Sequence, residues 1–281
     1  LIDYYTTYLN LVQKRNPGLD VLNISHAGYQ TTDDFVAKGE GLPYEFYDIH
    51  YQVDHKVSVI KQYLATLVDR KHTEIFILCH SMGAYVTQRL VHRLLDKKSG
   101  LESKISIRFV GLICPTILDI RLSLSGVALT RLLRFLPLVN VALFLTWILR
   151  LFLSESTIKS IIRYKFSTHP DVATDADVQH DLETSVEATY KLVLLQRIVR
   201  QALDLAENEM AEITQHDQEN DFFFKALPIS GVKVWVFFAE LDYWVHDNTR
   251  DSIMADYYDP NNLNLDFELG PDSITHSFCV D

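Results

Sequence analysis

The spacing of apolar and polar positions changes along the chain, and each change predicts an element. Ile2, Tyr5, Leu9 and Val12 recur at helical spacing until Asn16-Pro17-Gly18 stops the run. Asp20–Ser25 reads as a short strand, followed by a polar loop that holds Gly39, Gly41 and Pro43. Val53, Val57, Ile60, Leu64 and Leu67 share one face of a helix predicted over 50–70. Glu74–Cys79 is an almost unbroken apolar run, the pattern of a strand buried on both faces of a parallel sheet. A helix over Gly83–Leu95 and a second buried strand over Ile107–Ile113 follow. Helices alternating with buried strands predict an α/β fold, a mostly parallel sheet flanked by helices.

The alternation stops after Pro115. Residues 117–225 contain no strand pattern; they hold an apolar stretch at 122–153 and a charged amphipathic helix over about 181–213. Strands return at 232–238 and 263–269, with a short helix at 248–258 between them. This predicts an α/β core in two parts, 1–116 and 231–281, interrupted by a helical cap at 117–230. There are no internal repeats.

Composition narrows the class. The 281 residues are 48% hydrophobic and 22% charged, which excludes a disordered chain. The formal net charge of -11 argues against nucleic acid as a partner, because phosphate binding needs a basic face. Three cysteines, Cys79, Cys114 and Cys279, form no disulfide framework and suit a reducing compartment. No His/Cys spacing calls for a metal, and no motif calls for a cofactor. A mean hydropathy of +0.02 beside so acidic a charge implies that the apolar residues are concentrated somewhere.

The chemistry gathers where strands end. Cys79-His80-Ser81-Met82-Gly83 lies between a buried strand and a helix and has the form of a nucleophile elbow, with Cys in its first glycine position. Such a turn lifts the Ser81 hydroxyl above the sheet. It also aims the backbone N–H of Met82, at the helix start, toward a developing oxyanion. On this architecture an acid and then a histidine should follow later strands. Asp242 comes just after the strand at 232–238, and His276 follows the strand at 263–269. The expected roles are acyl transfer by Ser81, proton transfer by His276, and orientation of His276 by Asp242. Glu240 and Asp247 are fallback acids, and His246 is a weaker base candidate.

Other histidines carry weaker signals. His26 reads as a structural residue at the end of a strand, and His80 as a packing residue beside the nucleophile. His216/Asp221 and His246/Asp251 match an acyltransferase spacing of a kind that chance supplies in a chain with eleven histidines.

The concentrated hydrophobicity is at 122–153. Arg131, Arg134 and Arg150 are its only charges, and Pro137 splits it. Each arm as a helix spans roughly 22 Å, short of the ~30 Å core of a bilayer. A pair of cap helices over the site, or a wedge entering a phospholipid monolayer with its arginines at the headgroups, both fit, and the two are compatible.

Several of these segments together look like a known family. Ser25-His26-Ala27-Gly28-Tyr29, the elbow from Cys79 to Tyr85, Asp242 before Trp244, and Thr275-His276-Ser277-Phe278 resemble the lipid droplet-associated hydrolases, and the chain looks like a fungal member. The resemblance spans nearly the whole chain. It implies the α/β-hydrolase fold and hydrolysis of lipid esters, of sterol ester or acylglycerol type, by Ser81, Asp242 and His276 at the droplet surface. The implied partners are the lipid ester and the phospholipid monolayer of the droplet or the ER membrane surface. The family pattern places a Gly-Asn-Pro-Gly loop, source of a second oxyanion donor, just before the segment matching Leu1–Tyr5. Its absence, with an end five residues after His276, reads as trimming at both ends. Two other readings stand beside it: a droplet-associated structural protein with a vestigial site, and a soluble esterase with a plain helical cap.

Overall fold

The computed structural model describes residues 2–30, 44–68, 70–101, 103–166, 176–214, 218–271 and 273–278. Along the chain these form α1 (Thr6–Arg15), α2 (Ile49–Thr66), β1 (Thr73–His80), α3 (Met82–Leu95), β2 (Ile105–Ile113), α4 (Leu124–Phe135), α5 (Leu138–Phe152), α6 (Glu155–Phe166), α7 (Ala176–Leu194), α8 (Gln196–Glu212), β3 (Lys233–Phe238), α9 (Asp247–Tyr257) and β4 (Leu265–Leu269). A single 3-10 turn, Ile2–Tyr5, leads into α1, and a short helical segment with one π turn covers 218–229.

The four strands pair in parallel in the order β1-β2-β3-β4. Each parallel step needs a crossover on one side of the sheet, and α3 and α9 supply the first and the last. The inner strands carry the core, with Val110, Leu112, Val234 and Val236 fully buried. Helix α3 follows β1 at once and is buried all round from Met82 to Gln88, reaching solvent only at His92 and Arg93 in its last turns. Helix α2 packs beside it.

The chain divides into two units. One comprises 49–134 and 207–276 and holds the whole sheet; the other comprises 1–48, 135–206 and 277–281. In the second of these, α6 and α7 pair through charge: Arg163 donates to both carboxylate oxygens of Glu183 at 2.6 and 2.7 Å, and Lys159 reaches Glu187 at 2.5 Å. The same unit explains the Ser25–Tyr29 segment. Ala27 and Tyr29 are buried, and Gly28 has φ +88°. A Cβ on Gly28 would come within 2.7 Å of Gln201, whose amide bridges both the N–H and the C=O of Tyr47. Only glycine fits both the backbone angle and the space.

Three expectations change. Residues 20–25 are not a strand: they have no ladder partner among the described residues, and Leu22 stands 40% exposed. A strand needs a neighbour to pair with, and an apolar pattern alone does not provide one. Strand β1 is not buried on both faces, since Phe76 is 50% and Leu78 39% exposed. Among the described residues it lies at the edge of the sheet. The single long helix at 181–213 is two helices, α7 and α8, parted at Leu195 with neither Gly nor Pro to mark the break. The apolar stretch does split into α4 and α5 at Leu136-Pro137, and the polar loop with Gly39, Gly41 and Pro43 lies outside the described residues.

Candidate active site

Ser81 sits between β1 and α3 with φ 54° and ψ -129°, a strained backbone for a residue with a side chain. Its neighbours hold that turn: the Ser81 N–H donates to the Ile113 carbonyl at 3.0 Å, and the Ser81 carbonyl accepts from Ala84 N–H at 2.9 Å. Met82 opens α3, so its N–H has no intrahelical acceptor by position. Gly83 is less constrained than the elbow pattern suggests. A Cβ there would meet only the Cβ of Cys79, at an ordinary 3.6 Å. Cys79 is not a rival nucleophile, because burial pushes its thiol up to about 12, and it donates to the Gly111 carbonyl.

Two loops at the ends of β3 and β4 meet this turn. Leu241 and Thr275 form an isolated parallel bridge, one residue before Asp242 and His276. Asp242 is held by its own loop, where Oδ1 accepts from Trp244 N–H at 2.7 Å and from Val245 N–H at 2.9 Å. Its second oxygen, Oδ2, lies 2.8 Å from His276 Nδ1, and His276 Nε2 lies 2.9 Å from Ser81 Oγ. The side chains of Asp242 and His276 are 3% and 7% exposed. A carboxylate at Nδ1 fixes that nitrogen as the N–H donor, which leaves Nε2 as the acceptor facing the hydroxyl. The sheet therefore brings Ser81, Asp242 and His276 into one hydrogen-bonded line.

Two of the fallback residues, His246 and Asp247, are engaged elsewhere. His246 caps α9, its Nδ1 accepting from Asn248 N–H at 3.1 Å. Asp247 and Asp251 pair with Arg250. His216 lies outside the described residues, and Asp221 bonds Lys225 and Tyr257. His26 meets the Tyr29 ring edge-on, with centroids 6.5 Å apart.

One residue has more to do than its sequence context implies. His80, which the sequence suggests as a packing residue, places Nε2 2.7 Å from the His276 backbone carbonyl. With Cys114, these two histidines form a cluster whose donor atoms all lie within 4.8 Å. Both ring nitrogens of His276 are committed to Ser81 and Asp242, and Nε2 of His80 to the carbonyl. Cys114 is fully buried at a left-handed turn, φ 45°, just past β2. Adjacency to Ser81 was the only sign of His80 in the sequence, because its partner lies 196 residues away.

A parallel sheet flanked by helices, interrupted by a helical insertion and carrying a serine at a strained strand-to-helix turn, is α/β-hydrolase-like. A family model described as "Lipid-droplet associated hydrolase" matches residues 1–279, and the chain belongs to that family, part of the α/β-hydrolase superfamily. Trimming at the ends gains no support from this match. Among solved structures, a carboxylesterase from Nitrososphaera gargenis is 14% identical, with TM-score 0.50, over 99% of this chain and 80% of its own. A thermophilic esterase from Thermogutta terrifontis is 13% identical, with TM-score 0.41, over 84% and 68%. A homoserine O-acetyltransferase from Staphylococcus aureus is 12% identical, with TM-score 0.44, over 84% and 61%. The likeness to the Nitrososphaera gargenis carboxylesterase is one of fold. Family and fold together support a hydrolase that works at a lipid surface.

Proposed function

We propose that the protein is a serine ester hydrolase acting on lipid esters, of sterol ester or acylglycerol type, at the surface of lipid droplets or the cytosolic face of the ER membrane. The observation that carries the reading is the line Ser81 Oγ, His276 Nε2, Asp242 Oδ2, with steps of 2.9 and 2.8 Å. In this reading the Ser81 oxygen attacks the ester carbonyl while its proton passes to His276 Nε2. Asp242 stabilises the imidazolium that forms. The N–H of Met82 receives the negative charge that builds on the carbonyl oxygen. Collapse of that intermediate breaks the C–O bond, His276 protonates the leaving alcohol, and an acyl group stays on Ser81. Water, deprotonated by His276, then releases the fatty acid and restores Ser81.

The lipid-surface part rests on α4 and α5. Leu124 and Phe135 of α4 are 68% and 74% exposed. In α5, Phe144, Trp147, Leu151 and Phe152 are 52–74% exposed, and only Thr146 is buried. Among the described residues no single helix is long and apolar enough to cross a membrane, while the bent pair passes by length and composition. Exposed apolar area on that scale marks a contact with lipid or protein. The exposed faces of α4 and α5 then serve as the lipid-facing surface of the 117–230 insertion. Ser125 N–H donates to the Tyr243 carbonyl at 2.9 Å, which ties the start of α4 to the Asp242 loop.

The test is hydrolysis of a triacylglycerol or sterol ester presented in a phospholipid-coated emulsion. Fatty acid release by the wild type that disappears in Ser81→Ala supports the reading. Equal release by both would overturn it.

A further inference from the structure

We propose that His80 is a positioning residue: its ring N–H, bonded to the main-chain carbonyl of His276, holds the loop of that histidine in register with the Ser81 hydroxyl. The inference rests on the hydrolase reading above and deepens it, by naming what keeps the proton-transferring ring at its working distance.

His276 is borne on the segment after β4, where no regular element holds it. Such a loop needs several anchors if its ring is to stay placed. Besides the packing of Phe278 on Tyr5 and Tyr8 further along, three act at Thr275 and His276 themselves: the Leu241–Thr275 bridge before the residue, the Asp242 carboxylate on the side chain, and the His80 ring on the carbonyl. The third has a property the others lack. His80 is the last residue of β1 and is joined by one peptide bond to Ser81. Nucleophile and base are thereby linked twice, once through Ser81 Oγ and His276 Nε2 at 2.9 Å, and once through His80 Nε2 and His276 O at 2.7 Å. A shift of the loop relative to β1 has to break both.

The chemistry of the ring suits that work. A carbonyl only accepts, so His80 Nε2 carries the proton. The two rings are 4.9 Å apart and tilted by 51°, so a charge on His80 would oppose the imidazolium that His276 must form. Burial, with the neighbouring His276 ring adding to it, lowers His80 to about 4, so it stays a neutral donor at working pH. Its bonded nitrogen meets the main-chain carbonyl of His276 and not the ring, so it has no role in the proton path itself.

The experiment compares His80→Phe, His80→Asn and His80→Gln in the full chain, with a water-soluble short-chain p-nitrophenyl ester. Phe keeps the ring volume without the donor; Asn places its amide short of the carbonyl; Gln reaches it. Phe and Asn are expected to lower kcat by roughly ten- to a hundredfold, since small misplacements in an active site have costs on that scale. KM should stay within about twofold, and Gln should recover most of kcat. Wild-type kcat in Phe or Asn, or a Gln no better than Asn, overturns the inference. The imidazole nitrogen resonances of His276 give a readout free of turnover: loss of the Ser81 hydrogen bond at Nε2 is expected in His80→Phe, and unchanged resonances overturn the inference. A wild type with no turnover would strike the hydrolase reading, whereas the resonances judge His80 separately.

Discussion

Leu241 and Thr275 pair as a single parallel bridge beyond the ends of β3 and β4, and this one contact sets Asp242 and His276 side by side. Each loop leaves a neighbouring strand of the same sheet, so register in the sheet becomes register in the site. Asp242→Asn, which keeps the shape and loses the charge, is expected to lower kcat by roughly 10³- to 10⁴-fold, with the protein folded as before. Steady-state kinetics beside a thermal melt checks this.

The two glycines of the recognisable segments should respond in opposite ways. Gly83→Ala puts a methyl at 3.6 Å from Cys79, in a helix, and is expected to leave stability unchanged or raise it by up to about 1 kcal/mol. Gly28→Ala must adopt a φ of +88° against Gln201 at 2.7 Å, and should cost roughly 1–3 kcal/mol. Chemical denaturation of the two variants separates them; equal effects would contradict the geometry.

Lys56 gives the fold a dependence on pH. It is 8% exposed in α2, and burial lowers it from 10.5 to about 7. Between those values the unfolded chain holds more protons than the folded one, so this group makes stability rise with pH, with its full penalty present below about 7. Lys56→Met should be more stable than wild type at pH 7. Its advantage is expected to shrink by roughly 1–2 kcal/mol toward pH 9. Denaturation midpoints of both proteins across that range measure the difference.

The exposed residues of α5 offer a test of the lipid surface. Replacing Phe144, Trp147 and Phe152 together by Glu removes three large apolar side chains from a face that is otherwise apolar. Binding to phospholipid-coated oil droplets is expected to fall by about a hundredfold or more, given ~1.5–3 kcal/mol for each large side chain buried. Turnover of a soluble short-chain ester should hardly change. Flotation with droplets, read against that turnover, decides it.

Much of this was legible from residues alone, for identifiable reasons. Ser81 and Asp242 follow strands with a long apolar run and His276 follows one that alternates apolar and polar, so the strand ends were legible and pointed to these three residues. The break at Pro137 was equally plain. What periodicity hides is the partner. Asp20–Ser25 has a strand-like pattern and no ladder among the described residues; Phe76 and Leu78 belong to an apolar strand and stand 50% and 39% exposed. The hydrogen bond from His80 joins residues 196 apart, and no local spacing encodes such a contact.

The central claim, that Ser81 is an activated nucleophile, is met most directly by covalent capture. Purified full-length protein is treated with a fluorophosphonate, and the adduct is located by mass spectrometry of the peptides. One adduct on Ser81, absent in Ser81→Ala and strongly slowed in His276→Ala, is the result expected. A folded wild-type protein that takes up no label, or takes it at another residue, would contradict the account.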